Sequence, residues 1–296
     1  MIKEIPFKDK EEWLRIRSKY IGGSDSGAVI GLDEYKTPYS LWAEKTGKVE
    51  GFEGNISTKV GAYLEELVAK MFTEETGKKV RRKNSTLVND EYPFACANVD
   101  RLIVSEKALL ECKTSTSLPV MKKFKNGEYP DRWYCQIMHY LAVTGLERAY
   151  LAALVGNREF KVFVIEHDEE EIKSLMEAEK EFWGYVESDT PPPFAGLDAD
   201  SDTLKVIYRG GNSGEAIELL GKESEIENYL ALKSQEKELK KSIKYYEQVL
   251  QGEMKDCEYG ICGDYVVNWK TIQRAAYEVN ASSYRKFEVK KTKTKK

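Results

Sequence analysis

The hydrophobic period changes at Gly77, and this change limits what the chain can fold into more than any other feature. From Thr58 to Gly77, Val60, Tyr63, Leu64, Leu67, Val68 and Met71 recur at helical spacing, which predicts one apolar face of a helix ending at the glycine. Beyond the basic block at 78–83 the period falls to two. Residues 86–88, 95–104 and 108–114 read as strands, the last two joined by Ser105-Glu106-Lys107. Upstream, a helix over 9–20 carries Trp13, Ile16 and Tyr20, then breaks at Ile21-Gly22-Gly23-Ser24-Asp25-Ser26. Ser24 or Asp25 is the expected N-cap of a short helix over 28–30. Residues 40–45 and 131–143 read as helices, 149–155 with 160–166 as a hairpin, and 168–187 as a charged helix stopped by Pro191-Pro192-Pro193. Helices before and beside a small mixed sheet predict an α/β (α+β) domain over 1–195. Residues 196–214, rich in Gly, Asp and Ser, read as a linker, and 215–296 as a coiled-coil-like helical extension with a small β-hairpin and a basic tail. In that extension Tyr229, Leu232, Leu239, Ile243, Tyr246 and Leu250 recur at intervals that suit a helix of about 28 residues.

Composition narrows the chemistry. His139 and His167 are the only two histidines, which nearly excludes Ser-His-Asp catalysis and His-rich zinc sites and leaves carboxylates and lysine. His139 itself is expected to be packed or hydrogen-bonded rather than a ligand. Five cysteines without paired spacing fit reduced thiols, and no apolar run approaches the roughly 18 residues of a membrane span. With no secretory stretch at the N-terminus, a cytoplasmic protein with no membrane partner is expected. The net charge of −4 does not announce a nucleic-acid binder, but its distribution matters more. Basic blocks at 78–83 and 122–125 and a tail with seven positive charges from Arg285 stand against eight acids between Glu166 and Glu181. Each block alone reads as a solvated face, and together they permit a basic groove on an acidic body.

One constellation carries chemistry. If Asn98–Leu102 and Leu110–Thr114 are paired strands, Asp100 and Glu111 lie side by side, and Glu111 and Lys113 share a face that Cys112 does not. Leu102, Val104, Leu109 and Cys112 are expected to line a buried layer. Two adjacent carboxylates repel unless a proton or cation lies between them, and an all-oxygen set favours Mg²⁺. Lys113 beside such an ion can hold or deprotonate an attacking water, which implies metal-assisted phosphodiester hydrolysis. The bland alternative is a salt-bridge ladder across two strands.

Further motifs shift that balance. Trp13-x-x-x-Arg17, Ile21-Gly22-Gly23-Ser24-Asp25, Tyr35-Lys36-Thr37-Pro38-Tyr39-Ser40-Leu41-Trp42, Glu44-Lys45-Thr46-Gly47 and Gly61-x-x-x-Glu65 precede Asn89-Asp90-Glu91, Asp100, Glu111-Cys112-Lys113 and Gln136. In this order they resemble the lambda-exonuclease and YqaJ-like viral recombinase family of PD-(D/E)XK nucleases. The resemblance covers residues 9 to about 190 and departs at Val99 and Arg101, where Pro and Gly are common around the aspartate. It implies that Asp100, Glu111 and the Cys112 carbonyl bind the central Mg²⁺, with Mn²⁺ able to substitute. It further implies that Glu65 and Asp90 support a second ion, that Lys113 positions the water, and that Gln136 fixes the water or the lysine. Arg17 and Ser24 would bind the 5′-phosphate of the strand end. The activity implied is 5′→3′ exonuclease action on linear double-stranded DNA, leaving 3′ overhangs for recombination in a bacterial host, by a phage- or prophage-encoded protein. The implied partners are a RecT-like single-strand annealing protein and further copies of the chain in a homo-oligomeric ring, trimer or tetramer. The region after 215 is expected to serve self-association or to dock the annealing protein. An endonuclease on the same core and a catalytically idle DNA-end-binding module are the alternatives.

Overall fold

The computed structural model describes residues 1–51, 54–211, 215–275, 287 and 289, and divides the chain into two units, Met1–Tyr208 and Arg209–Lys296. The first unit begins β1 (Ile2–Pro6), α1 (Lys10–Arg17), β2 (Ile21–Gly22), α2 (Gly23–Val29), α3 (Pro38–Lys45) and α4 (Ile56–Thr76). β3 (Val80–Arg82), β4 (Ser85–Asn89), β5 (Tyr92–Ala97), β6 (Arg101–Ile103) and β7 (Ala108–Ser115) follow. α5 (Leu118–Lys125), α6 (Asp131–Thr144), β8 (Arg148–Val155), β9 (Glu159–Glu166), α7 (Glu169–Glu187) and α8 (Asp198–Ile207) complete it.

The strands form two sheets, in the orders β1-β4-β5-β2 and β3-β6-β7-β8-β9. In the second sheet β7 and β8 are parallel while the other pairs are antiparallel, so it is mixed as expected. The strand predicted over 95–104 is divided: β5 belongs to the first sheet and β6 to the second. The crossing at Asn98–Asp100 places Asp100 where the two sheets meet.

Alternation along β7 and β8 feeds two apolar layers. Leu109, Ala149 and Leu151 pack with Ile137 and Leu141 of α6, while Leu110, Tyr150 and Ala152 pack with Val68, Ala69 and Phe72 of α4. The single layer predicted from Leu102, Val104, Leu109 and Cys112 is therefore two. Leu102 and Leu109 belong to the first cluster, Cys112 packs against the second, and Val104 is exposed.

α4 starts two residues before Thr58, capped by Asn55, whose side chain accepts the Thr58 N–H at 3.0 Å; it ends at Gly77 in the left-handed conformation, φ 71°. Its buried face is Val68, Ala69 and Phe72, whereas Val60, Tyr63 and Leu67 of the predicted face are exposed. The N-terminal half of α4 borders a cleft instead of covering the sheet, so its apolar positions have no layer beneath them. The N-cap of α2 is Gly22, not Ser24 or Asp25; Asp25 sits at the third helical position and turns back to accept the Gly22 N–H.

The predicted linker holds a helix. Asp200 of α8 is buried, accepts the Ala195 and Gly196 N–H groups at 2.7 and 3.0 Å, and receives the Thr37 hydroxyl at the start of α3. Gly196, Asp198, Asp200 and Ser201 make a helix start and its turn, while positions 212–214 of the predicted linker lie outside the described residues. In the second unit α9 (Glu223–Met254) has 32 residues, about 48 Å at 1.5 Å per residue, followed by the hairpin β10 (Tyr259–Cys262) and β11 (Tyr265–Asn268). The basic tail from Arg285 lies, apart from positions 287 and 289, outside the described residues. Among the described residues, no helix is long and apolar enough to cross a membrane, and the five cysteines are free thiols.

Candidate active site

Antiparallel pairing of Arg101 with Leu110 puts Asp100 opposite Glu111. The Cys112 N–H donates to Asp100 Oδ2 at 2.8 Å. In a strand the N–H and C=O of one residue point the same way, so the Cys112 carbonyl faces the aspartate as well. Lys113 follows two positions after Glu111 and meets its Oε1 at 2.8 Å. Gln136, one turn into the buried face of α6, binds both: Nε2 donates to Glu111 Oε1 at 2.7 Å, and its Oε1 accepts from Lys113 Nζ at 2.7 Å. Asp100, Glu111, Cys112, Lys113 and Glu65 line one cleft with Ser57 and Gly61 at the N-terminal end of α4.

The charge balance in this cleft is strained. Burial, then the Glu111 and Glu65 carboxylates, push the Asp100 carboxyl well above its usual range. Burial also raises Glu111, against the pull of Lys113. Glu111 Oε2 is buried without a hydrogen-bond partner. An unpartnered buried carboxylate oxygen beside a second buried carboxyl fits a hard divalent cation, which would replace the proton that otherwise separates the two groups. Asp100 and Glu111 are two acids of one cleft, and a hard divalent cation can bind through one or two carboxylates while keeping several waters.

The predicted supports for a second ion do not assemble. Asp90 lies in the β4–β5 turn, at the far end of that hairpin from Asp100, where it pairs with Lys3 at 2.6 Å and with the N-terminal amine at 3.7 Å. The family resemblance alone implied it as a ligand, but the hairpin directs it away. Glu65 does reach the cleft, yet its Oε1 receives the Arg101 guanidinium, which also donates to Glu66 Oε2 at 2.9 Å and to the Asp100 carbonyl at 2.7 Å. The arginine that replaces the usual glycine is thus a buried clamp between α4 and the aspartate.

Arg17 and Ser24 are brought together: the Arg17 Nη2 donates to Ser24 Oγ. Two glycines permit this. A Cβ on Gly22 would lie 3.2 Å from Arg17 Nε, and one on Gly23 only 2.5 Å from the Tyr140 ring. Tyr140 is buried, one turn after Gln136, and its hydroxyl accepts from Gln136 Nε2 at 3.0 Å. Tyr140 and Gln136 therefore connect the Arg17–Ser24 corner to Glu111 of the carboxylate pair. The sequence reading missed Tyr140, although its position four residues beyond Gln136 on the same helix face was a signal. His139, beside it, is fully buried with both ring nitrogens on acceptors: Nδ1 on Glu179 at 2.9 Å and Nε2 on the Cys96 carbonyl at 2.9 Å. Although burial opposes it, Glu179 raises the His139 pKa, and the imidazolium satisfies both acceptors.

Residues 12–147 match the YqaJ-like viral recombinase domain. The chain is 42% identical over 268 residues to the uncharacterized protein YqaJ of Bacillus subtilis (strain 168), covering 89% of this chain and 84% of that protein. Among solved structures it is similar to the alkaline exonuclease LHK-Exo of Laribacter hongkongensis, with a TM-score of 0.51 at 18% identity over 61% of this chain and 94% of that one. The LHK-Exo complex with dAMP gives a TM-score of 0.53 at 19% identity over the same shares. The fold is that of the PD-(D/E)XK exonucleases, as the motifs led one to expect. Identity this high over nearly the whole length of both proteins means that this chain belongs to the YqaJ family of viral recombinase-like proteins.

Proposed function

We propose that the protein is a Mg²⁺-dependent exonuclease that degrades linear double-stranded DNA from the 5′ end and leaves 3′ overhangs for annealing recombination. The observation that carries this reading is the buried Asp100–Glu111 pair with the unpartnered Glu111 Oε2 and Lys113 on the other oxygen. The exonuclease fold and membership in a viral recombinase family support it.

Asp100, Glu111 and the Cys112 carbonyl would hold the ion, which when bound polarises the scissile phosphate and lowers the pKa of water. Lys113 holds the attacking water beside Glu111, while Gln136 holds Lys113 through its carbonyl and Glu111 through its amide N–H. Tyr140 fixes Gln136 from below. Arg17 and Ser24 take the terminal 5′-phosphate. Tyr140, packed against Gly23, and Gln136, bonded to Glu111, connect the two sites, so a strand end held by Arg17 and Ser24 lies in the same part of the fold as the carboxylates. An end-binding corner linked to the carboxylate pair favours an exonuclease over an endonuclease.

The test is incubation with Mg²⁺ of two substrates, blunt linear duplex and covalently closed plasmid. Mononucleotide release from the linear DNA alone is the expected result. Nicking of the plasmid assigns an endonuclease instead, and inertness toward both leaves an end-binding module. A RecT-like annealing partner and a ring of several copies belong to the same proposal. Co-purification with the annealing protein and the mass in solution check them.

A further inference from the structure

Asp25 gathers three cations. It is 2% exposed; Oδ2 faces Lys45 Nζ at 2.8 Å and accepts the Gly22 N–H at 3.2 Å. Oδ1 faces Arg17 Nη2 at 3.6 Å and Lys36 Nζ at 3.7 Å. Lys36 also meets Glu44 at 2.7 Å. The cluster holds three cations and two carboxylates, so one positive charge is left over.

The cations are not equivalent. The Lys45 side chain is 4% exposed and bonded directly to Asp25, so these two charges cancel inside the protein. Arg17 and Lys36, 27% and 26% exposed, stand beyond hydrogen-bond distance of the shared Oδ1. Both therefore keep donor capacity, Arg17 reaching Ser24 and Lys36 standing next to it on the same Asp25 oxygen. A terminal phosphomonoester approaches two negative charges at neutral pH, whereas an internal phosphodiester carries one. A single guanidinium matches only one of them.

We propose that Lys36 is a specificity-determining contact for the terminal phosphate, supplying the second positive charge beside Arg17, with buried Asp25 as the positioning residue that holds both at the same opening. This rests on the reading of Arg17 and Ser24 as the end-phosphate pocket. The competing account is that Lys36 is simply half of an ion pair with Glu44.

The experiment measures equilibrium binding, in EDTA so that no cleavage intervenes, of two duplexes identical except for a 5′-phosphate or a 5′-hydroxyl. The proteins are the full chain and its Lys36→Gln, Lys36→Arg, Glu44→Gln and Arg17→Ala variants. Lys36→Gln should lose about tenfold in affinity for the phosphorylated duplex, the scale of one charge-assisted hydrogen bond, with little change for the hydroxyl end. Lys36→Arg should retain most of the preference, and Glu44→Gln should keep or increase it by removing a competing carboxylate. Equal loss on both ends in Lys36→Gln, or the same loss in Glu44→Gln, overturns the role of Lys36. If Arg17→Ala loses the preference while Lys36→Gln keeps it, the pocket stands without Lys36. No preference in the unsubstituted protein removes the pocket itself.

Discussion

Replacing Asp100 by Asn should make the metal-free protein less sensitive to rising pH, and the size of the effect follows from the site. The Asp100 carboxyl is held well above its usual range by burial and by Glu111 and Glu65. Between the ordinary carboxylate range and that raised value, the folded chain keeps a proton that the unfolded chain has released. The unfolded state then binds one proton fewer, so stability falls as pH rises, by about 1.4 kcal/mol per pH unit for one such group. For a unit of this size that corresponds to about 3–6 °C in Tm per pH unit. The Asn variant carries no titrating group there and can still accept the Cys112 N–H that now binds Oδ2. A saturating divalent ion should flatten the same slope in the unsubstituted protein, because it takes the place of the proton. Thermal melts at pH 5, 6 and 7, with EDTA or Mg²⁺, compare the slopes; the difference between variant and parent cancels groups remote from the cleft and leaves the Asp100–Glu111 pair. Equal slopes in EDTA would refute the argument that burial and the neighbouring carboxylates hold a proton on Asp100.

Lys113→Ala should lower cleavage by about 10²–10⁴-fold while leaving duplex affinity within a factor of two or three, since the ammonium contacts Glu111 and Gln136 rather than a phosphate site; filter binding beside a nuclease assay checks it, and undiminished turnover removes Lys113 from the reaction. His139→Leu should cost about 3–5 kcal/mol in urea denaturation because Glu179, 0% exposed like its partner, keeps a buried charge without compensation; the further change Glu179→Met should recover much of the loss. Since the His139 pKa is raised, the pair's stabilisation is complete below the histidine's ordinary value of about 6.5 and fades as pH rises through the folded one. Asp25, held far below the ordinary carboxylate range by Lys45, Arg17 and Lys36 despite its burial, has the opposite sign. Its stabilisation is present above about pH 4 and is lost on acidification, which melts in acid with an Asp25→Asn control should show.

Local order was legible because it is encoded locally. The period change at Gly77, the β7 alternation that puts Glu111 and Lys113 on one face, and the helix carrying Gln136 follow from spacing along one element. The linker reading missed α8 because a Gly-Asp-Ser stretch looks the same whether it is a tether or a helix start. Only the docking of Asp200 on Thr37 distinguishes them. Asp90, implied only by the family resemblance, does not reach the cleft because a motif's order along the chain does not say toward which end of a hairpin a side chain falls.

The sequence by itself determined the chemistry on offer: two acids and a lysine in strand register, almost no histidine, and an arginine before a Gly-Gly-Ser turn. The tertiary structure alone decided which charges meet. It turned Arg101 onto Glu65 and Glu66, sent Asp90 to Lys3, gathered three cations on Asp25, and linked the Gly23 turn to Glu111 through Tyr140 and Gln136. Electrostatic energies depend on distance and on burial, and residues tens of positions apart acquire both only when the layers close.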